Sequence, residues 1–385
     1  MQNFNYSIPT KIHFGKGQIK QLSNIKEFGK RVLMVYGGGS IKKNGLYDSA
    51  MRILKENNIE VFELSGVEPN PRIESVRAGA NLCKEKAIDV VLAIGGGSTI
   101  DCSKVIAAGA KYDGDPWDLV LDGSKIKAAL PVVAILTLAA TGSEMDGFAV
   151  ISDMGKNDKL GTGSELVKPV FSIMDPEYTF SVSKKQTAAG TADIMSHVFE
   201  VYFTKEKDAF IQARLCESVL KTCIKYGPIA VENPEDYEAR ANLMWASSLA
   251  INGLLSYGSD VEWGVHPMEH ELSAFYDITH GEGLAILTPP WMEFVLSDNT
   301  LYKFVEYGVN VWGIDAHDGD WHIAKKAIKL TKEFFAKLEL PKTLTEVGIG
   351  DENLEIMAKK LDGTLNDTFV PLPEKALIEI YRASL

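Results

Sequence analysis

The chain has 385 residues, of which 45% are hydrophobic and 24% charged, with a formal net charge of −12. That length and composition describe a globular protein of two or three domains with a sizeable core. The acidic balance argues against nucleic acid or an anionic membrane as the main partner, so an anionic cofactor must be held locally, by backbone N–H groups and a few lysines.

Met1–Gly15 contains no apolar run of the kind a signal peptide needs, and none is expected. The first strand signal is Arg31–Tyr36 (RVLMVY), which ends in Gly37-Gly38-Gly39-Ser40. A helical pattern runs to Asn57, and Glu60–Leu64 is the next strand. A turn at Val67–Pro71 leads into a helix to about Ala87. Asp89–Ile94 (DVVLAI) is another strand, ending in Gly95-Gly96-Gly97-Ser98, with a helix from Thr99 to about Ala110. Pro131–Leu136 (PVVAIL) follows. Continuous Val/Ile/Leu runs alternating with helices predict a parallel sheet covered on both faces.

The texture changes near Ser181–Lys185. Helical patterns take over: Lys184–Phe203, Ala209–Tyr226, Pro234–Asn252, a histidine-bearing segment near Pro267–Phe275, and Gly281–Leu296. The expectation is an α/β domain over residues 1–183 and an all-helical domain over 184–385. Ligand sites favour domain interfaces and the C-terminal ends of parallel strands, so a site in a cleft between the two is expected. The longest apolar run, near Ala128–Ala140, is too short to span a bilayer. Cys83, Cys102, Cys216 and Cys223 form no C-x-x-C pair, which fits a reducing cytoplasm.

Two glycine turns are candidates for a dinucleotide. Gly95-Gly96-Gly97-Ser98 lies where a strand passes into a helix. There glycine lets the backbone approach a phosphate, and the helix N-terminus offers unpaired N–H groups. A bare triple glycine also serves as a turn without a ligand. A pyrophosphate is favoured because Gly37-Gly38-Gly39-Ser40 repeats the pattern and Lys159 supplies a mobile positive charge downstream. No acidic residue sits in Gly37–Ser40 to accept from the adenosine ribose, which leaves room for a 2′-phosphate and favours NADP(H) over NAD(H). The hydroxyl-rich loop Thr137-x-x-x-Thr141-Gly142-Ser143-Glu144 offers donors to a cofactor amide or phosphate.

Four of the seven histidines join one aspartate in the helical half: Asp193-x-x-x-His197, then His266-x-x-x-His270, then His280. Asp193 and His197 fall one turn apart on one helix face. Two further imidazoles would complete a four-ligand site for Fe(II), Zn, Mn, Co or Ni rather than Ca or Mg.

Taken together, these motifs make the chain resemble the iron-containing (group III) alcohol dehydrogenases, above all their NADPH-dependent aldehyde reductase and butanol dehydrogenase branch. The resemblance covers almost the whole chain. It rests on Gly95-Gly96-Gly97-Ser98-x-x-Asp101-x-x-Lys104, the Thr137–Glu144 loop, Asp193-x-x-x-His197, and His266-x-x-x-His270-Glu271-Leu272-x-x-Phe275-Tyr276-x-x-x-His280-Gly281. It implies an N-terminal Rossmann-like dinucleotide-binding domain, a C-terminal all-helical metal-binding domain, and a homodimer. It implies that Asp193, His197, His266 and His280 bind the metal, Fe2+ first and Zn2+ next, while His270 is not a ligand. Lys159, the two glycine turns, Asp101, Thr137 and Thr141 match cofactor contacts, and Ser143 and Asn70 are grouped with them. Two departures stand out: Glu271-Leu272-Ser273 where many relatives read Pro-Leu-Gly, and Asp146, whose charge is expected to alter which substrates are tolerated.

The expected reaction is reversible hydride transfer between NADP(H) and short- to medium-chain primary alcohols or aldehydes, with His270 relaying a proton. Phe148, Trp245, Trp263 and Phe275 are candidate walls of an apolar pocket. Two alternatives compete. A dehydroquinate-synthase-like lyase would need cations converging on a substrate phosphate, and the histidine segment lacks them. A non-catalytic metal-binding scaffold would bind metal without turnover.

Overall fold

The computed structural model describes residues 1–385. They form two compact units: Ser7–Ser183 with Pro234–Ser248, and Met1–Tyr6 with Lys184–Asn233 and Leu249–Leu385.

The first unit is built on strands β1 (Lys11–Phe14), β2 (Arg31–Tyr36), β3 (Glu60–Leu64), β4 (Val90–Gly95), β5 (Val132–Leu136), β6 (Phe148–Asp153), β7 (Asp158–Gly163) and β8 (Phe171–Met174). Six of them make one sheet in the order β1-β8-β5-β4-β2-β3, every pairing parallel. Helices α1 (Ser40–Lys43), α2 (Leu46–Glu56), α3 (Ile73–Glu85), α4 (Gly97–Gly109) and α5 (Trp117–Leu121) connect them. Alternate residues of a strand point to opposite faces. Val32 and Met34 accordingly join Leu46, Ala50 and Leu54 of α2 in one core cluster, while Leu33 and Val35 join Val76 of α3 and Ile106 of α4 in another. Every residue of β4 and β5 is buried, as a strand covered on both sides requires.

Strand order decides where a ligand can sit. From β2 the chain goes to β3 on one side and then returns to β4 on the other. The sheet therefore has its switch point between β2 and β4, where Tyr36 stands opposite Ile94. The crevice beyond the carboxyl ends of strands at such a point is the usual ligand position in open α/β sheets.

Four strands carry no strand signal in the sequence. β1 and β8 have four residues each, too few for a period to register. β6 and β7 form a separate antiparallel hairpin. Its turn passes through Asn157 at φ 51°, a left-handed conformation that Asn tolerates.

The second unit is helical: α6 (Lys184–Tyr202), α7 (Phe210–Glu232), α9 (Val265–Tyr276), α10 (His280–Val295), α11 (Leu301–Asn310), α12 (Asp320–Lys337), α13 (Leu354–Leu361) and α14 (Glu374–Ala383). The intervening α8 (Tyr237–Ile251) belongs, through Ser248, to the sheet-bearing unit. No helix is long and apolar enough to cross a membrane.

Candidate active site

α6 is buried on all sides from Thr187 to Tyr202. Its small residues permit that, and one of them sets the position of α10. Gly281, in the first turn of α10, lies so close to α6 that a Cβ there would stand 2.0 Å from the carbonyl oxygen of Ala189. Asp193 is four residues beyond Ala189, on the same face of α6. Seating Gly281 on Ala189 therefore brings the neighbouring His280 over Asp193.

The four expected ligands gather around one carboxylate oxygen. Asp193 Oδ1 lies 3.5 Å from His197 Nδ1, 3.8 Å from His266 Nε2 and 3.7 Å from His280 Nε2. One atom each from Asp193, His266 and His280 fits within a mutual 4.8 Å. The His197 ring stacks on that of His266 at 4.6 Å. Donors around a tetrahedral ion with bonds of about 2.0–2.2 Å stand about 3.3–3.6 Å apart. Asp193 Oδ1, His197 Nδ1 and His266 Nε2 are all buried without a hydrogen-bond partner. Buried polar atoms in native proteins rarely go unpaired, so three orphans, the two nitrogens 3.5 and 3.8 Å from the oxygen, fit a cation.

The electrostatics agree. Burial pushes the Asp193 carboxyl up, but the facing imidazoles, His197 foremost, outweigh it and hold the group down to about 2. Burial lowers His197 to about 4 despite the pull of Asp193. In His266 burial again lowers, yet Asp193 and Glu200 overcome it and raise the ring to about 9. The carboxylates create a potential that favours positive charge, and a dication satisfies the same field.

Two carboxylates in this cluster escaped the sequence reading. Glu200 is three residues past His197 on α6. It accepts from the backbone N–H groups of Gly264, Val265 and His266 at 2.8–2.9 Å, capping the start of α9. It also meets His266 Nδ1 at 3.2 Å. Glu269, with no exposed surface, bonds His280 Nδ1. The available signal was an acidic residue three positions beyond a ligand histidine in a helix.

His270 is half-buried, its ring 5.7 Å from that of His280 and 6.4 Å from that of His266. Of the four aromatics expected to wall a pocket, Trp263 stands edge-on to His266 at 5.0 Å and to His197 at 6.2 Å. Phe275 lies under Lys360 Nζ, 5.4 Å from the ring centre. Phe148 and Trp245 are exposed residues of the sheet-bearing unit, with Trp245 edge-on to Phe14.

In the sheet-bearing unit both glycine turns follow neighbouring strands at the switch point. Gly38 and Gly39 have nothing within 4 Å of a Cβ position, whereas a Cβ on Gly37 would meet the Val67 carbonyl at 3.1 Å. In the second turn a Cβ on Gly95 would strike Thr99 at 2.4 Å, and one on Gly97 would strike Thr141 at 2.2 Å. Thr141 is thus brought onto the start of α4, beside Gly96 and Ser98, and the Thr137 N–H donates to the Gly95 carbonyl. Asn70, at φ 50°, precedes Pro71, whose carbonyl accepts from the Ser152 N–H. Ser152 pairs with Lys159 across the hairpin, so Asn70 and Lys159 share one neighbourhood. Lys159 is only 5% exposed and held on β7, and is not the mobile positive charge expected of it.

Asp101 and Ser143 are engaged with the protein itself. Asp101 accepts from the Ser143 hydroxyl and, at 2.9 Å, from the Val150 N–H. Burial pushes its carboxyl up to about 6 against the pull of Lys104. The fully buried Lys104 Nζ reaches Ser143 Oγ and Asp146 Oδ1 at 2.8 Å and the Phe148 carbonyl at 2.7 Å. The expectation that the charge of Asp146 alters which substrates are tolerated is corrected here. Asp146 is buried, and its charge neutralises Lys104.

Glu144 anchors the same loop. The Ser248 hydroxyl donates to its Oε1, and its Oε2 is buried without a hydrogen-bond partner. Burial pushes this carboxyl up from 4.5 to about 7, against that hydrogen bond. A folded-state value above the unfolded one gives stability that is complete below the unfolded value and is lost as pH rises through the folded one. Glu144→Gln should therefore gain on wild type by roughly 2–3 kcal/mol between about pH 5 and pH 8. Urea midpoints at both pH values test this, and parallel changes in the two proteins would refute it.

Comparison with known proteins gives the family. Residues 9–176 match the family model described as iron-containing alcohol dehydrogenase, and residues 187–385 match the C-terminal model of the Fe-containing alcohol dehydrogenase family. The NADH-dependent butanol dehydrogenase A of Clostridium acetobutylicum is 61% identical over 100% of both chains. The NADPH-dependent aldehyde reductase YqhD of Escherichia coli is 41% identical over 94% of this chain and 93% of its own. The crystal structure of the NADH-dependent butanol dehydrogenase A of Thermotoga maritima superposes with a TM-score of 0.95 at 37% identity, covering 100% of this chain and 99% of that one. With both units matched along their length, the chain belongs to the iron-containing alcohol dehydrogenase family and is a metal-dependent alcohol dehydrogenase.

Proposed function

We propose that Asp193, His197, His266 and His280 hold a divalent ion, iron(II) first and zinc(II) next, and that the enzyme interconverts short- to medium-chain primary alcohols and aldehydes with NADP(H). One observation carries the metal assignment: an oxygen and two nitrogens are buried without hydrogen-bond partners, each nitrogen within 3.8 Å of that oxygen, among four residues gathered around it. A bound dication supplies Lewis acidity, which lowers the pKa of an alcohol hydroxyl and polarises an aldehyde carbonyl. The nicotinamide supplies the carbon that accepts or donates hydride.

The chain's own residues do the rest. Asp193 and the three imidazoles fix the ion. Trp263 gives the site an apolar wall beside His197 and His266, which suits a neutral substrate. His270, half-buried and one ring away from His280, carries the released proton toward solvent. Gly37, Gly38, Gly39 and Ser40, with Gly95, Gly96, Gly97 and Ser98, cradle the cofactor's phosphates. Thr137, Thr141, Asn70 and Lys159 line its path, and Asp101 and Ser143 brace the loop that carries the threonines.

The preference for NADP(H) rests on the open space at Gly38 and Gly39 and on the absence of a carboxylate in that turn. Relatives' names divide on this point, since the aldehyde reductase is called NADPH-dependent and the butanol dehydrogenases NADH-dependent. A homodimer in the cytoplasm completes the proposal. All four cysteines are free and buried, which suits a reducing compartment.

Metal analysis of the purified protein, then an NADPH-oxidation screen over aldehydes of increasing length, tests the proposal. Chelation and dialysis should abolish turnover, and Fe2+ or Zn2+ should restore it. Undiminished activity without added metal would end the metal assignment. A higher kcat/KM with NADH than with NADPH would overturn the reading of Gly37–Ser40.

A further inference from the structure

His280 is the least buried of the four ligands, its side chain 23% exposed against 4–6% for the other three. It opens α10, immediately after the loop Asp277–Thr279. Its ring lies 5.3 Å from that of His266 and 5.7 Å from that of His270, and an imidazole can turn its two nitrogens end for end. Something must decide which nitrogen faces Asp193.

Glu269 meets the requirement. It has no exposed surface, although an ionised carboxylate is costly to bury unless partners satisfy it. One oxygen, Oε1, accepts from the Ser273 hydroxyl at 2.5 Å, one turn along α9. The other, Oε2, meets His280 Nδ1. A carboxylate can only accept, so Nδ1 carries the hydrogen, and the neutral ring keeps its Nε2 lone pair on the side of Asp193 Oδ1, 3.7 Å away, for a cation held between the two atoms. Space is reserved for this carboxylate. A Cβ on Gly283 would stand 2.8 Å from Glu269 Cγ.

We propose that Glu269 is a positioning residue that acts through His280. It fixes the tautomer and ring orientation of that ligand, with Ser273 in turn fixing Glu269. The inference rests on the ligand assignment proposed above. Carboxylates that orient ligand histidines in this way change metal affinity by about 10–100-fold when removed.

The test uses the full-length apoprotein titrated with Co2+ in competition with a chelator, together with the visible Co2+ spectrum. Glu269→Ala should weaken binding about 10–100-fold and alter the spectrum. Glu269→Gln keeps an acceptor oxygen without the charge and should lose less. In a His280→Ala background, Glu269→Ala should change affinity by less than about twofold, because its route to the ion is gone. Wild-type affinity and spectrum in folded Glu269→Ala would overturn the inference. So would an equal loss in the His280→Ala background, which would make Glu269 a ligand itself, since its oxygen lies within 4.8 Å of donors from His270 and His280. If Glu269→Ala does not fold, Ser273→Ala carries the test, and an unchanged Co2+ affinity and spectrum there counts against the inference. A wild-type protein that binds no Co2+ would instead defeat the ligand assignment beneath it.

Discussion

Replacing His280 with alanine is expected to weaken metal binding so far that the protein purifies without the ion, leaving only the three-donor affinity a Co2+ titration reads, and to lower kcat/KM by at least about a thousandfold, a loss of roughly 4 kcal/mol in transition-state stabilisation. The substitution removes one of four donors and leaves Glu269 with a buried oxygen that has lost its imidazole partner. The Lewis acidity that brings an alcohol's pKa within reach is lost with the ion. The fold should survive. His280 is only partly buried, and the seat of α10 on α6 belongs to Gly281, not to the imidazole. Metal content by mass spectrometry, steady-state kinetics and thermal unfolding together check this. A metal-free His280→Ala protein with near wild-type turnover would remove the ion from the chemistry altogether.

The second large effect is expected one residue later. A Cβ on Gly281 would stand 2.0 Å from the Ala189 carbonyl oxygen, 2.6 Å from its carbon and 2.9 Å from its Cα. All three are backbone atoms of a helix buried on every side, so no flexible side chain can swing away. Relief requires α10 and α6 to separate by about an ångström. Overpacking of this kind costs about 1–3 kcal/mol or more. The separation also carries His280 away from Asp193, and a misplacement of that size costs about a hundredfold in rate. Gly281→Ala should therefore bind metal poorly and unfold at lower denaturant. Gly161→Ala serves as the control, because a Cβ there meets nothing within 4 Å. If Gly281→Ala matched wild type in both denaturant midpoint and metal affinity, the helix contact would not be what sets the site.

These two substitutions differ in how visible they are. His280 stands out in the sequence by its spacing from His266 and His270. Gly281 is visible only as the second half of a His-Gly pair, and the reason for it emerges when α6 and α10 are side by side. Glu200 and Glu269 are less visible still. Each is an acidic residue in a helical pattern, and its one local mark, a histidine three positions earlier, is shared by many solvated surface charges. Glu200 reaches the N-terminus of α9 across 66 positions of sequence, a pairing that no local period encodes.

By itself the sequence determined the central strands, because a strand covered on both faces must be a continuous apolar run. β2 spans the run that marks it, Arg31–Tyr36, and β4 and β5 fall within one residue of theirs. It also placed the glycine turns and set Asp193 and His197 one helical turn apart, since both depend only on steric limits and periodicity within a few residues. Tertiary structure alone decided that β2 and β4 are neighbours, so that two separate turns share one switch point. It alone buried Lys104 against Asp146 and drew α6, α9 and α10 together around one carboxylate oxygen. Those contacts join residues far apart in the chain, and only the packing of whole helices and strands brings them within reach.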